Sequence, residues 1–571
     1  MRYRPVVRRL WLHQPGAGVA SPRCTRTLAQ RTLSRTQQSA NVSTRCRPTV
    51  PFLSSSSSSS SSGTTIQAPV RNYASERTKQ WLSYQGKLLV RYALISWAGG
   101  ICILVIYFFY LEEKHERQYP TPHEWAWRDR KMFRDAHVAT DPQNGFISWS
   151  MAYQLGRNLC MSFEDVNKTG NEIPRLHDHE DPNDEVPWEF IPHDISAKSE
   201  EWRRGYFDIM MYTARAAGRV DGWLKDTTGK TSNQVWPPEF VIGPSNPRPR
   251  PIPPGSPPAP REEDCEVAFP PADRYYLKIL ATKGLEPRQK MEAALDYANF
   301  IETKRRPESS DALYNLALAA ATQGMDQTKL PYNPKTLVLK DTGPPPSQNI
   351  LEAITAIANH KARTGDTAAA LPIYLSLLKV RRSLPDTPPR TPPKPKPRLP
   401  LYRRALNMIA EPDYPPPPPD GTQPPWRSPE ERCKEASLRL NIGEILYTSS
   451  SKEDGVAWTR DGVDLAEEEL RELSSQSEGP STAKDRCREC LKTGLDNWSV
   501  MVARLAREEQ LRREESKPSA FSFWSTTSSS EDANGRWAAE GAVVEERTKR
   551  TKDMVDDLKP LSQGIAGYFK A

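Results

Sequence analysis

The sequence predicts an all-α chain in which one transmembrane helix precedes a solenoid of paired helices broken by proline-rich, disordered insertions. Three observations carry this. Tyr92–Leu111 (YALISWAGGICILVIYFFYL) is uncharged, and roughly 20 apolar residues suffice for a helix to cross ~30 Å of hydrocarbon. Behind it, Ala/Leu-rich segments with helical spacing recur, three of them closed by Gly284, Gly324 and Gly365 at intervals of 40 and 41 residues. Proline, 54 of 571 residues, concentrates in two stretches that cannot be helix interiors.

Residues 1–75 contain eleven Arg, no Lys and no Asp or Glu, and hydroxyl residues fill much of the remainder, including the run Ser54–Ser62. Arg-rich, Ser-rich and acid-free is the composition of a mitochondrial transit peptide. A secretory signal needs a short apolar core near its start, and none is present. In Arg71-Asn72-Tyr73-Ala74-Ser75, an Arg stands shortly before a Tyr/Ala junction, which predicts processing between Tyr73 and Ala74.

The apolar span has asymmetric flanks. Arg77, Lys79, Lys87 and Arg91 precede it against one acid, Glu76; Glu112, Glu113 and Glu116 follow it, mixed with Lys114 and Arg117. The positive-inside rule then leaves residues 74–91 as a matrix stub and places the bulk of the chain in the intermembrane space. Trp97 and the cluster Tyr107–Tyr110 suit the two interfaces. No second long apolar segment exists to bury this one, and a single span excludes a multi-pass transporter.

The formal charge of +8 includes the eleven Arg of the presequence, so the remainder is near −3. That removes the electrostatic basis for nucleic-acid binding. Of eight Cys, only Cys487 and Cys490 are close in sequence. One helical turn apart, they suit either a redox pair or ordinary helix packing; a lone CxxC is a poor zinc site.

Residues 112–235 form a Trp-, Tyr- and charge-rich juxtamembrane region. Its last run, SEEWRRGYFDIMMYTARAAGRVDGWLK, has Phe207, Met210, Met211, Ala214 and Ala217 near helical spacing. The segment Leu176-His177-Asp178-His179-Glu180-Asp181 reads as a solvated loop rather than a metal site. A proline-rich linker is expected over 236–262. Helix pairs follow over 270–384, then a second proline-rich insertion over 385–429 and further helices over 430–512. A disordered segment and a final helix complete 513–571.

Leu351–Leu384 is the clearest helix pair. Ile354, Ile357 and Ala358 occupy packing positions of its first helix, Gly365-Asp366 the turn, and Ala370, Tyr374 and Leu377 the second. Small residues admit close approach while the aromatic fills a neighbouring groove, as in tetratricopeptide repeats. Ala436–Tyr447 and the segment from Asp485 offer partial units. Ser310–Gly324 suits a first helix, but LPYNPKTLVLKDTGPPP cannot be its partner. The repeats are therefore degenerate.

No GxxxxGK[ST], GxSxG, HExxH or GxGxxG occurs, and His is scarce at eight residues. The expectation is a non-enzymatic chain without cofactor or metal. Presequence, single span, the PTPHEW juxtamembrane segment and the Leu351–Leu384 repeat together resemble the fungal tetratricopeptide adaptor subunit of the mitochondrial i-AAA protease complex. The resemblance covers about Arg71–Leu511. It implies an intermembrane-space domain that binds i-AAA protease subunits and helps deliver unfolded or membrane-protein substrates. The two proline insertions depart from that pattern. On the best repeat, Thr355, Asn359 and Arg363 share a face at i, i+4 and i+8, the expected peptide-reading positions. A structural scaffold for assembling respiratory or import complexes is the alternative.

Overall fold

A computed structural model describes residues 75–141, 147–165, 167, 173–176, 187–228, 235–252, 258–326, 329–341, 343, 345–388, 414–475, 481–516 and 535–556. Tyr73, Ala74 and the His177–Asp181 segment lie outside them, as does the Ser-rich stretch before the last helix. The described residues are mostly helical, with thirteen α-helices and three short strands.

The chain divides into two units, Met1–Arg91 and Tyr92–Ala571. Helix α1, Glu76–Gln118, begins in the first, where the Ser75 hydroxyl accepts from the Thr78 amide at its start. In the second unit it carries the apolar segment, whose side chains from Tyr92 to Tyr110 are all exposed. This helix is long and apolar enough to cross a membrane.

The acids that follow the apolar segment have partners on α2, Trp127–Val138. Glu116, buried, pairs with Arg130 at 3.1 Å and with Arg134, and accepts from the Thr121 amide at 3.1 Å. Glu112 pairs with Lys131 at 2.9 Å and Arg134 at 2.7 Å. Two carboxylates one turn apart thus meet three cations at successive helical spacings.

The aromatic juxtamembrane region folds inward. Helices α3 (Trp149–Glu164) and α4 (Glu200–Arg219), capped by Ser148 and Ser199, bury Tyr153, Phe163, Trp202 and Tyr206 with Trp125 and Phe133. The same core continues into α5 (Ala272–Ala281) and α6 (Pro287–Thr303) through Tyr275, Tyr276 and Tyr297.

A small antiparallel sheet corrects the all-α expectation. Strands β1 (Leu224–Asp226), β2 (Val235–Trp236) and β3 (Cys265–Val267) have spatial order β2-β1-β3, with Leu224 opposite both Trp236 and Val267. The first proline stretch leaves from one side of β1 and returns to its other side. Its described residues, 237–252 and 258–262, are tied down rather than free: Asn246 Nδ2 donates to the carbonyls of Pro238, Glu239 and Val241, and Ser245 donates to Glu262.

From α6 onward the helices pack in chain order. They are α7 (Pro307–Ala321), α8 (Gln348–Thr364), α9 (Thr367–Arg382), α10 (Pro429–Ser449), α11 (Lys452–Ser475), α12 (Ser481–Ser516) and α13 (Arg536–Val555). One core spans α6 to α10 and includes Ile354, Ile357, Ala358, Ala370, Tyr374 and Leu377; another joins α10 to α13. Gly284, Gly324 and Gly365 all adopt positive φ, +92°, +84° and +93°, the conformation glycine supplies at helix ends. Pro331–Lys340 is non-helical and folds back on itself, Tyr332 pairing with Leu339.

Candidate functional site

Part of the second proline stretch is ordered and seated on helices. Tyr414–Pro419 lies along α4 and α6, with Asp420 and Gly421 against the start of α8. The Arg204 guanidinium stacks over the Tyr414 ring, 4.3 Å to its centroid, and donates to the Pro415 carbonyl at 2.5 Å. Arg288 donates to the Pro419 carbonyl at 2.8 Å while its Nε holds Glu292 at 3.0 Å. The Asn349 side chain donates to the Asp420 carbonyl at 2.9 Å, and its amide to Gly421 at 3.0 Å.

The chemistry follows from proline. A polyproline segment has no amide hydrogens and no internal hydrogen bonds, so its carbonyls await external donors. Arg204, Arg288 and Asn349, on three different helices, supply them. Gly421 has φ +66°, a Cβ there would collide with Asn349, and the contact with α8 continues to Gln423, whose carbonyl accepts from the Gln348 amide at 3.1 Å. The segment is a strap, contrary to the disordered insertion expected over 385–429; residues 389–413 of that insertion lie outside the described residues.

Beside the strap opens a cleft of about 550 Å³, floored by α4 and walled by Pro415–Pro418 and α6. Asp208 lies in it one turn beyond Arg204 and, among the described residues, makes no hydrogen bond or ion pair. Its side chain reaches water through the mouth of the cleft, yet protein crowds it on the other sides. That desolvation raises its carboxyl to about 6, against the opposing pull of Arg204. At one end His137 stacks on Tyr119 and meets the Tyr212 ring at a tilt, and burial depresses it to about 4.

A second polar cluster is closed. Lys278 donates to Glu164 Oε1 and to the Glu189 carbonyl, both at 2.6 Å, and the Tyr206 hydroxyl donates to Glu164 at 2.7 Å. The free space beside it, about 10 Å³, is the size of one water. Nearby Cys160 is fully buried and pushed up to about 12, so its thiol does not ionise near neutrality. This cluster holds α3 against α5. Among the described residues, no group of three or more His, Cys, Asp or Glu is placed to hold a metal ion.

The three expected peptide-reading residues share α8 but are engaged within the chain. Thr355 Oγ1 donates to the Leu351 carbonyl at 2.5 Å. Asn359 Oδ1 accepts from Tyr374 at 2.7 Å and from Asn441 at 3.3 Å, linking α8 to α9 and α10. Arg363 is bidentate to Glu302 of α6, at 2.8 and 2.6 Å, and donates to Tyr314 at 3.2 Å. Burial alone would raise Glu302, but the Arg363 hydrogen bonds and charge outweigh it and hold the carboxylate low. Asn359 and Arg363 thus tie α8 to its neighbours, while Thr355 bonds within α8 and Arg363 stays about half exposed, 52%.

The cysteine pairing also differs from expectation. Cys487 forms its disulfide with Cys433 of α10, not with Cys490. Cys490 is a buried free thiol that approaches the Cys433 carbonyl at 3.5 Å, and burial raises it to about 11. One turn of helix places Cys487 and Cys490 on the same face, and the adjacent helix supplies the partner.

The groove residues come from positions 204, 208, 288, 349 and 414, too scattered for sequence spacing to join. The one sequence signal was the run Pro415–Pro419 itself, read as a spacer.

The described residues thus define a mostly helical protein with one helix able to span a membrane and an extended segment of its own chain seated in a helical groove. No known family model matches the sequence, and no curated protein does.

Proposed function

We propose that the protein is a non-catalytic, single-pass adaptor of the mitochondrial inner membrane that binds unfolded or membrane-protein substrates and presents them to an i-AAA protease. The observation that carries this reading is the seated strap: the helical array already holds an extended peptide through donors to its backbone carbonyls. Backbone reading is tolerant of side-chain identity, as a receptor for many unfolded clients requires. Helices packed in chain order with left-handed glycine ends support a degenerate tetratricopeptide-like solenoid.

The presequence composition supports mitochondrial import, and the charge bias about the apolar span supports an intermembrane-space location for the helices. The Cys433–Cys487 disulfide favours the same side, because such bonds persist in oxidising compartments.

Affinity isolation of the tagged full chain from detergent-solubilised mitochondria tests the reading. Co-isolation of an AAA protease is expected. Its absence, with a respiratory or import complex recovered instead, overturns the adaptor role in favour of a scaffold. In mitoplasts, a C-terminus that resists added protease would overturn the topology.

A further inference from the structure

We propose that the cleft and strap groove together form a binding site for proline-rich, extended segments of a partner protein, with an aromatic residue under Arg204 and a basic residue, shortly before it, over Asp208. The proposal deepens the peptide-receptor reading and rests on it.

The strap defines what the groove accepts. A left-handed polyproline helix rises ~3.1 Å per residue, so the carbonyls of Pro415 and Pro419 stand about 12 Å apart along it. Arg204 on α4 and Arg288 on α6 meet those two carbonyls, and the Tyr414 ring under Arg204 sets the register. Arg288 is positioned by Glu292. Such a rail reads any segment with an aromatic residue followed by prolines. It gains from the low ordering cost of a chain already in that conformation.

The strap uses only part of the site. Asp208, one helical turn past Arg204, faces the open cleft beside Tyr414; the charges of Arg204 and Arg215 act on it, but it makes no hydrogen bond or ion pair among the described residues. In sequence, the acids Glu411 and Asp413 precede Tyr414, so this chain supplies no cation just before its aromatic residue. A segment that makes the strap contacts and carries Lys or Arg shortly before its aromatic residue would add an ion pair to Asp208 in a partly enclosed cleft. The chain's own strap is thus the weaker-matched occupant, held by tethering. A tether supplies an effective concentration on the order of millimolar, so a partner segment competes on affinity per contact, and dense local presentation favours it.

The test uses the full chain in detergent micelles and two fluorescein-labelled peptides, EPDYPPPPPDG and KPKYPPPPPDG. Wild type should bind both weakly. The variant P415S/P416G/P417S/P418G/P419S, with the rail emptied, should bind at least tenfold more tightly, as removal of a tethered competitor requires. It should prefer the basic peptide about fivefold, the range for one partly solvated ion pair. Adding Asp208→Asn should abolish the preference but not the binding, and adding Arg204→Ala should remove both. Failure of the emptied variant to bind either peptide, or binding indifferent to Arg204→Ala, overturns the proposal. A second measurement needs no folding of that variant: a KPKYPPPPPDG peptide with a photoreactive aromatic in place of its Tyr, at millimolar concentration, should crosslink wild type within α4. Crosslinks confined to other helices overturn it. No protease is present in either assay, so their outcome is separable from co-isolation of an AAA protease.

Discussion

Replacing Lys278 by Met isolates the cost of an unpaired buried carboxylate. Lys278 and Glu164 side chains are 4% and 0% exposed, so neither charge can turn to water. The ammonium donates to Glu164 Oε1 and to the Glu189 carbonyl at once. Met retains most of the volume of the Lys stem, so the loss is chiefly electrostatic. Breaking one side of such a pair costs about 3–5 kcal/mol. Removing both charges together, in K278M/E164Q, should recover a large part of it, because an amide accepts from Tyr206 without needing a cation. The pH dependence carries a sign. Burial raises Glu164 above its ordinary 4.5, and Lys278 and Tyr206 oppose the rise. Without Lys278 the carboxyl climbs further. A folded-state pKa raised above the unfolded value gives stability that is present at low pH and lost as pH rises. The deficit of Lys278→Met relative to wild type should therefore be small near pH 4.5 and grow toward neutrality. Urea titration of the full chain in micelles, followed by tryptophan fluorescence, reads it, since Trp202 stacks on Tyr206. A K278M deficit below about 1 kcal/mol at pH 7.5, or one that grows on acidification, would refute the assignment of this pair as a buried, mutually dependent couple.

Further consequences are accessible to the same preparation. Cys433→Ser should cost about 4 kcal/mol by loop closure, given the 54-residue separation of the bonded pair. In wild type, alkylation under native conditions should leave Cys433, Cys487 and Cys490 unlabelled, and unfolding without reductant should expose Cys490 alone of the three. His137, held at about 4 by burial against its ordinary 6.5, contributes stability that is complete above pH 6.5 and lost as pH falls toward 4. The full shift corresponds to roughly 3 kcal/mol, and partial contact with water reduces it to about 2. His137→Phe should make the melting temperature less steeply pH-dependent over that window. An unchanged slope would count against the burial argument. Gly284→Ala should destabilise by several kcal/mol, on the order of a severe core substitution, because φ is +92° and a Cβ would meet the Ser196 backbone nitrogen at 2.6 Å. Alanine at Gly324, whose φ is also positive but whose surroundings are open, should cost only about 1 kcal/mol.

The helices were largely legible because period and punctuation agree. Ile354, Ile357, Ala358, Ala370, Tyr374 and Leu377, placed on packing faces by spacing, are all buried. The three glycines that close helices are left-handed as their positions require. The sheet was not legible: strands of two or three residues leave no alternation to detect, and β3 pairs with β1 across the proline loop. Thr355, Asn359 and Arg363 all lie on α8, but spacing does not show what a polar side chain meets. Glu302, sixty-one residues from Arg363, pairs with it from α6. Nor could the strap be separated from a spacer, since a run of prolines looks the same free in solution or seated on Arg204 and Arg288.

The carboxylate lock between α1 and α2 bears on mechanics. Helix α1 runs without a break from the apolar segment to Gln118, and Glu112 and Glu116 fasten its last turns to Arg130, Lys131 and Arg134. Those ion pairs brace the end of α1 against α2. With a bilayer around Tyr92–Leu111, a tilt of the helix would be transmitted to the aromatic core as rotation of one stiff lever. The helical domain would then sample the membrane surface at a set height and azimuth. Neutralising Glu116 would convert a bracket into a tether, widening the search while loosening the aim.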